Sequence, residues 1–156
     1  MRGRAFSRTV AGPEENVEAV RRAYEGANDR LEFPEELFDP DWELDLTEVS
    51  PEDVGVLRVT TQEAFREYWE MFERFHIELE EVIHADEEQV VTAVRDSGRM
   101  RGSDAEVSNR FFHVWGFSDG KIIRMSVHAD RNRALEAAGL SEQDAHGTSP
   151  DERSRN

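Results

Sequence analysis

The sequence predicts an α+β domain in which one curved antiparallel sheet packs against N-terminal helices. Three observations predict this fold class. Two segments with apolar residues at helical spacing come early in the chain. Several segments in which apolar and polar residues alternate follow them, and the chain then continues through a hairpin signal into a short helix. Helices first and strands later favour α+β over a regular alternation of the two.

The chain has 156 residues, a length typical of one domain. We expect that domain to span residues 13–140. Residues 1–12 and 141–156 hold few apolar side chains, so burial cannot offset the entropy that they would lose on ordering. Both segments are therefore predicted to be disordered tails.

The charge composition narrows the class of partner. The chain has 19 Lys and Arg against 35 Asp and Glu, a formal net charge of −16. Such a surface repels phosphate backbones and anionic lipid headgroups, so neither nucleic acid nor a membrane is expected as a partner. No segment approaches the roughly 20 apolar residues of a membrane span. We expect a cytoplasmic protein.

Metal and cofactor sites are not predicted. The chain has no cysteine, which excludes disulfides, thiolate catalysis and thiolate metal ligands. His76, His84 and His128 do not stand at metal-ligand spacings, and neither an HxxxH nor an HExxH pattern occurs. The sequence also lacks a glycine-rich phosphate loop. We therefore expect no metal and no other cofactor.

Helical periodicity predicts two N-terminal helices. The first is predicted over residues 13–29, because Pro13 suits a first turn and apolar residues then recur at spacings of three and four. Its apolar face holds Val17, Val20, Tyr24 and Ala27. The second is predicted over residues 61–75, after a capping-box spacing between Thr60 and Glu63. Its stripe of five aromatic residues, Trp69 among them, is assigned to the core.

Alternating residues predict the strands. A short helical turn is expected over residues 34–38, and residues 39–41 (Asp-Pro-Asp) are expected to break the chain. A first strand follows over residues 42–46, in which Trp42, Leu44 and Leu46 share a face. Further strands are predicted over residues 77–84, 89–101, 107–117 and 121–129. The last helix is expected to begin after the N-cap Asp130 and to end at Gly139.

The loop between the last two strands decides which residues face one another. A two-residue turn at Asp119-Gly120 would place His113 opposite Ser126. A three-residue loop over residues 118–120 would place His113 opposite Met125 instead. We favour the three-residue loop because it gives one fully apolar face. The other face is then half polar, and it holds Arg110, Phe112, Val114, Arg124, Ser126 and His128.

The strand over residues 107–117 (VSNRFFHVWGF) is the most informative segment for function. His113 stands on it in a row of aromatic residues. An apolar wall interrupted by one titratable group is typical of a small-molecule pocket, and histidine titrates near neutral pH. A single histidine on an apolar strand is nevertheless more often a hydrogen-bonded core residue. We predict a pocket lined by Phe111, Trp115, Met125, Val127, Trp69 and Trp42.

Two aspartates are further candidates. Asp45 alternates against Trp42, Leu44 and Leu46, which favours a solvated position on the outer side of the strand, although a twist would turn it inward. Asp96 shares its parity with Val90, Thr92 and Val94, so it is a candidate pocket carboxylate.

The chain contains, in this order, Tyr24 on the first helix and the segments DPDWEL, TTQEAFREYW, VRDSGRMRGSDAEV and VWGFSDGKIIRMSVHADRNRALEAAGL. Together they resemble the SnoaL-like branch of the nuclear transport factor 2-like superfamily over residues 13–140. The resemblance implies a cone of curved antiparallel sheet around a pocket, closed by helices. It also implies dimerisation through the sheet.

The family that the chain resembles includes ketosteroid isomerases, polyketide cyclases, hydratases and epoxide hydrolases. The ketosteroid isomerase mechanism uses an Asp base and an oxyanion hole of a tyrosine and a protonated aspartate. The resemblance places Tyr24 on the oxyanion tyrosine, His113 on the protonated aspartate and Leu46 on the base. Leu46 cannot take a proton, although Asp45 stands beside it, so that mechanism is not available as written.

We therefore expect a small-molecule-binding domain whose ligand is a small, mostly apolar organic compound. If the protein is an enzyme, cyclisation, isomerisation or hydration next to a carbonyl is expected, with His113, Tyr24 and Asp45 as candidate catalytic residues. The alternative is a non-catalytic ligand-binding or dimerisation module. A homodimer is predicted through the half-polar face, since a monomer would leave Phe112, Val114 and Ile122 in water.

Overall fold

The computed structural model of the protein describes residues 12–49, 56–57, 66 and 68–145. Its helices are α1 (Pro13–Arg30) and α2 (Arg131–Ala137), with 3-10 turns at Glu35–Leu37 and Glu142–Asp144. Residue 66 and residues 68–70 are also helical. The strands are β1 (Phe38–Asp45), β2 (Val56–Leu57), β3 (His76–Ala85), β4 (Gln89–Arg99), β5 (Glu106–Ser118) and β6 (Lys121–His128).

The strands form one six-stranded sheet in the order β2-β1-β6-β5-β4-β3. Every neighbouring pair is antiparallel except β1 and β6, which are parallel. Helix α1 packs on one side, here called the inner face, and helix α2 packs on the other side, the outer face. The α+β class is confirmed, and the parallel pair is an addition to the antiparallel sheet that was expected. No helix among the described residues is long and apolar enough to cross a membrane.

Helix α1 agrees with its sequence prediction to within one residue at its C-terminal end. The Gly12 amide donates to Glu15 Oε1 over 2.8 Å and closes the first turn. The predicted apolar face is the buried one, because Val20, Tyr24 and Ala27 are all at most 3% exposed. The helix therefore fixes Tyr24 over the inner face of the sheet.

The second predicted helix ends earlier than expected. Helical backbone stops at residue 70, and Phe72 instead forms an isolated bridge with Met100. The aromatic spacing continues past the end of the helix because Phe72 and Phe75 reach the same core from irregular backbone. The prediction of a helix as far as residue 75 was wrong, and residues 61–65 and 67 lie outside the described residues.

The predicted break before the first strand was also wrong. Strand β1 begins at Phe38 and runs through Asp39, Pro40 and Asp41. Its pairing with β6 shifts register between Phe38 and Glu43. A bulge is where a strand tolerates a proline, because the missing amide donor then leaves no ladder bond unmade.

The β5–β6 hairpin turns on two residues rather than on the expected three. Ser118 pairs with Lys121, and Asp119 and Gly120 both have positive φ, 52° and 79°, as a type I′ turn requires. A register shift follows at once, because Phe117 pairs with Ile122 whereas Gly116 pairs with Arg124. The bulge at Ile123 then brings His113 opposite Val127.

The predicted inner face survives this correction. From Arg124 onward the observed pairing differs by two residues from the expected one, and a shift of two residues keeps the side chains of this part of β6 on their side of the sheet. Met125 and Val127 are accordingly buried in the inner core together with Trp115.

The apolar residues that motivated the homodimer are buried within the single chain. Phe112 and Val114 pack on the outer face beneath Ala134 and Leu135 of α2. Ile122 belongs to the inner core instead, because the bulge follows it. The reason given for a dimer was therefore wrong, and the homodimer itself stays a prediction.

Residues 141–145, which the sequence assigns to the C-terminal tail, contact the domain. Ser141 caps the 3-10 turn Glu142–Asp144, and the Asp144 carbonyl oxygen lies 3.1 Å from His84 Nδ1. Ala145 packs against the outer core. These contacts tie residues 141–145 to the domain, whereas residues 1–11 and 146–156 of the predicted tails lie outside the described residues.

Candidate functional site

The predicted site residues Tyr24 and His113 meet on the inner face. His113 Nδ1 lies 2.8 Å from the Tyr24 hydroxyl oxygen, and Thr92 Oγ1 lies 2.7 Å from that same oxygen. Trp115 Nε1 donates a third hydrogen bond to it over 3.1 Å. Strand pairing sets this geometry, since Thr92 is directly opposite His113 on the neighbouring strand.

These contacts use the full hydrogen-bonding capacity of the Tyr24 hydroxyl. A phenol oxygen donates one hydrogen bond and accepts about two. Trp115 can only donate, so the hydroxyl donates either to His113 or to Thr92 and accepts from the other. Tyr24 therefore has no hydrogen bond left for a ligand, and it holds the His113 ring at Nδ1.

Burial keeps the network neutral. It lowers the pKa of His113 to about 3, with a smaller contribution from His128, and it raises the pKa of Tyr24. At neutral pH, His113 is thus an uncharged imidazole. When Tyr24 donates to Nδ1, the ring proton is on Nε2, and Nε2 has no hydrogen-bond partner among the described residues. In that tautomer, His113 offers one N–H donor.

A buried carboxylic acid lies further along the same face of β4. Asp96 is 7% exposed and accepts a hydrogen bond over 3.1 Å from the Tyr68 hydroxyl at Oδ2. Its other oxygen, Oδ1, is buried and has no partner in the described part of the chain. Burial raises the pKa of Asp96 to about 6, although the bond from Tyr68 opposes the rise.

Asp96 and the His113 network belong to one electrostatic environment. The charge of Asp96 contributes to the raised pKa of Tyr24. Asp96 stands four residues after Thr92 on β4, a separation of roughly 13 Å along a strand. A ligand that touches both groups would therefore lie along β4 across the inner face.

Asp45 does not join these residues. Its Oδ2 lies 2.6 Å from Arg124 Nη2, and its Oδ1 accepts from the Thr47 amide over 2.9 Å. Burial opposes its ionisation, but the Thr47 hydrogen bonds and the Arg124 charge prevail and lower its pKa. Asp45 lines a pocket on the outer face, so grouping it with Tyr24 and His113 was wrong. The favoured sequence interpretation, an outward Asp45, agrees with this position.

The apolar residues predicted to line a pocket all belong to the inner core. Trp42, Trp69, Trp115, Met125 and Val127 are buried in one cluster, and Phe111 packs on it from a partly buried position. Two residues that the sequence analysis did not single out connect the rings. Phe33 contacts Trp42, Trp69 and Trp115, and Phe38 contacts Trp42 with ring centroids 4.5 Å apart.

Sequence reasoning missed two polar members of this face. Thr92 was noted only because it alternates onto the same face of β4 as Asp96, and that shared face was the signal that Thr92 points inward. Tyr68 was counted in the core stripe, yet its hydroxyl bonds Asp96. Among the described residues there is no group of three or more His, Asp and Glu that would hold a metal ion.

A cone-like sheet with helices on its inner face and a polar group set into an apolar wall defines the nuclear transport factor 2-like class of fold. The model of the SnoaL-like domain matches residues 17–125. The chain therefore belongs to the SnoaL-like domain family. No curated protein matches the sequence significantly.

Three solved structures illustrate the fold similarity. A hypothetical protein from Catenulispora acidiphila with a ketosteroid isomerase-like fold, in complex with trimethylamine, is 12% identical over 81% of this chain and 95% of its own, with a TM-score of 0.59. A candidate SnoaL-like polyketide cyclase from Jannaschia sp. CCS1 is 20% identical over 88% and 95%, with a TM-score of 0.59. A nuclear transport factor 2-like protein from Anabaena variabilis is 17% identical over 83% and 95%, with a TM-score of 0.62.

Proposed function

We propose that the protein binds a small, mostly apolar organic compound that carries a carbonyl group, on the inner face of its sheet. We propose further that Asp96 moves a proton at the carbon next to that carbonyl. One observation carries the proposal: Asp96 is a buried carboxyl group with a free oxygen and a pKa near 6. A buried acid with an unmade hydrogen bond costs stability, and such costs are concentrated at functional sites.

Each group has a separate task. Asp96 Oδ1 takes a proton from the carbon, because at neutral pH most of this carboxyl group is ionised and still basic. His113 Nε2–H donates to the carbonyl oxygen as negative charge develops on it. Tyr24 selects that tautomer by donating to Nδ1. If the proton then returns from Asp96 to another carbon, the reaction is an isomerisation. If the enolate carbon instead attacks a second carbonyl carbon of the same compound and Asp96 gives the proton to the oxygen of that carbonyl, the reaction is a cyclisation.

The relatives support this proposal at the level of their own descriptions. The Catenulispora protein is in complex with a small organic molecule, and the Jannaschia protein is described as a cyclase candidate. The inner core around Phe33 and the tryptophans supplies an apolar environment in which a neutral His113 is a stronger hydrogen-bond donor than it would be in water.

A second candidate is non-catalytic ligand binding. It is favoured by the Tyr24 hydroxyl, whose three hydrogen bonds are all made within the protein. In that case, Asp96 would recognise the ligand as a hydrogen-bond acceptor and would not exchange protons with it.

A homodimer and a cytoplasmic location are parts of the proposal that rest on the family resemblance and on composition. The buried positions of Phe112 and Val114 remove the simplest structural argument for the dimer. A dimer contact on the outer face would therefore be built mainly from polar side chains.

Hydrogen exchange at carbon tests the catalytic proposal. Wild-type protein is incubated in D2O with a panel of apolar ketones, and loss of the α-proton signal is followed by NMR. We expect exchange well above the buffer rate, reduced by a factor on the order of 10²–10⁴ in Asp96→Asn. Asp104→Asn, at an exposed aspartate after β4, is the matched control and should exchange like wild type.

Two results would count against it. Equal exchange in wild type and Asp96→Asn would remove Asp96 from the mechanism. Ketone binding without any exchange in wild type would favour the non-catalytic alternative.

A further inference from the structure

A second histidine, His128, lies on the outer face in a hydrogen-bonded chain that the proposed function does not use. Ser126 Oγ lies 2.8 Å from His128 Nε2, and His128 Nδ1 lies 2.8 Å from Glu48 Oε1. Ser126 and His128 are two residues apart on β6 and so share a face of the sheet, while Glu48 follows β1. The order of groups is hydroxyl, imidazole and carboxylate.

The carboxylate fixes the ring proton of His128. An ionised carboxylate can only accept a hydrogen bond, so Nδ1 must carry the proton that bonds Glu48. In the neutral ring, Nε2 is then bare and accepts the Ser126 hydroxyl proton. Ser126 therefore has a general base aligned on its own oxygen, which is how serine nucleophiles are activated.

These residues line a pocket of about 300 Å³. That volume is at the lower end of the range for small-molecule sites. Ser126 and His128 are each 4% exposed, and both contribute to the pocket wall. The remaining wall is formed by Asp45, Thr47, Glu48, Gln89, Val114, Gly116, Arg124 and Ala137.

Arg124 brings a positive charge into the same pocket. It stands two residues before Ser126 on β6 and is held by Glu43 over 3.1 Å and by Asp45 over 2.6 Å. Both terminal nitrogens of Arg124 bond carboxylates, so the guanidinium offsets the negative charge of Glu43 and Asp45 at the pocket wall. Arg133 Nη1 also lies 3.9 Å from the second oxygen of Glu48.

We propose that this outer pocket is a second active site, in which Ser126 cleaves small carboxylic esters. Ser126 Oγ attacks the carbonyl carbon while its proton passes to His128 Nε2. The C–O bond to the alcohol then breaks, and the alcohol leaves with that proton. Water attacks the acyl-serine, gives its proton to His128, and the acid departs as Ser126 regains a proton. No oxidant or other co-reactant is needed.

The two sites lie on opposite faces of the sheet. Ser126 and His128 lie on the outer face, whereas Asp96 and His113 lie on the inner face. A variant at Asp96 should therefore leave ester cleavage unchanged, and failure of either proposal would not decide the other.

A fluorophosphonate probe tests the nucleophile directly, because a serine oxygen displaces its fluoride and keeps the phosphonyl group. The full-length protein is labelled, digested and mapped by mass spectrometry, and hydrolysis of p-nitrophenyl acetate is measured in parallel. The variants are Ser126→Ala, His128→Gln and Glu48→Gln. Ser108→Ala is the matched control, because Ser108 is exposed on β5 and bonds Arg95 rather than a histidine.

We expect the label on Ser126 in wild type and a fall in ester cleavage of at least 100-fold in Ser126→Ala and His128→Gln. Glu48→Gln should fall by a smaller factor, and Ser108→Ala should match wild type. A wild-type protein that carries no label on Ser126 overturns the proposal, and this result does not depend on how well any variant folds. Unchanged cleavage in a folded His128→Gln variant would also overturn it.

Discussion

Two histidines, His113 and His128, lie on opposite faces of one hairpin and differ in what fixes their ring protons. His113 faces a hydroxyl that can either donate or accept, so its tautomer follows the direction of the Tyr24–Thr92 bond. His128 faces a carboxylate that can only accept. In the two proposed sites, the same side chain is thus a neutral hydrogen-bond donor at His113 and a general base at His128.

Asp96 allows a prediction on stability. Because the folded state raises its pKa from 3.8 to about 6, the native protein binds this proton more tightly than the unfolded chain does. The contribution to stability is fully present below about pH 4 and is lost as the pH rises through 6. At pH 8 the native state then bears a cost on the order of 2–3 kcal/mol for the buried charge.

We therefore expect Asp96→Asn to be more stable than wild type at pH 8 and nearly equal to it at pH 4. Urea unfolding at both values measures the difference, with Asp104→Asn as the control for loss of one exposed carboxylate. His113 acts in the opposite direction, because its lowered pKa costs stability as the pH falls below about 6.5, and the comparison of variants at each pH removes that effect. A less stable Asp96→Asn at pH 8 would contradict the account.

The sequence predicts which face of the sheet a residue occupies wherever simple alternation along a strand decides it. Alternation along β4 was enough to make Asp96 a candidate, and alternation along β6 puts Ser126 and His128 on one face. The contact of His128 with Glu48 joins residues 80 positions apart through a turn that has no periodic pattern. Such a contact depends on the fold as a whole, so no local signal predicts it.

The hydrophobic patterns predicted where most helices and strands begin and end. The predictions that were wrong fall where the backbone departs from regular pairing. The bulge at Ile123 adds one residue to β6 after a type I′ turn, and no residue type marks it. The second predicted helix ends before Phe72, but its aromatic residues keep a helical spacing into the irregular backbone that follows. The spacing therefore gives no sign of where the helix ends. Hydrophobic periodicity reports which residues are buried, and it does not report whether a helix carries them there.

The C-terminal turn yields a second prediction. Deleting residues 146–156 should leave the melting temperature almost unchanged, because that segment lacks apolar anchors in the sequence. Deleting residues 141–156 should lower it by several degrees, because the deletion removes the Asp144 bond to His84 and the packing of Ala145. Thermal unfolding of both truncations checks this, and equal melting temperatures would show that residues 141–145 contribute nothing.

In the whole molecule, the short helix α2 removes the reason for expecting a homodimer through the outer face. Ala134 and Leu135 cover Phe112 and Val114, so the outer face has no large apolar patch of those residues left to pair. The sequence predicts helix α2 but not the face of the sheet on which it packs, because a seven-residue helix with two buried residues has too short an apolar pattern.

The homodimer predicted from the sequence can still be tested. Light scattering at micromolar concentration in moderate salt should give twice the chain mass of 18.0 kDa if the dimer exists. A mass of 18.0 kDa would contradict it. A dimer through the outer face would also cover the pocket around Ser126, so accessibility of Ser126 to the fluorophosphonate should fall as the dimer forms.

We propose that Asp96 and the Tyr24–His113 network face a common ligand. A thermal-shift screen of carbonyl-bearing apolar compounds on wild type, Tyr24→Phe, His113→Phe and Asp96→Asn tests it most directly, with Ser108→Ala as the control. We expect at least one compound to raise the melting temperature of wild type and of the control, and each of the three inner-face variants to lose most of that gain. Since Tyr24 acts through His113, the effects of Tyr24→Phe and His113→Phe should not add in the double variant. Equal gains in wild type and in all three variants would assign these residues to structure alone and contradict the account.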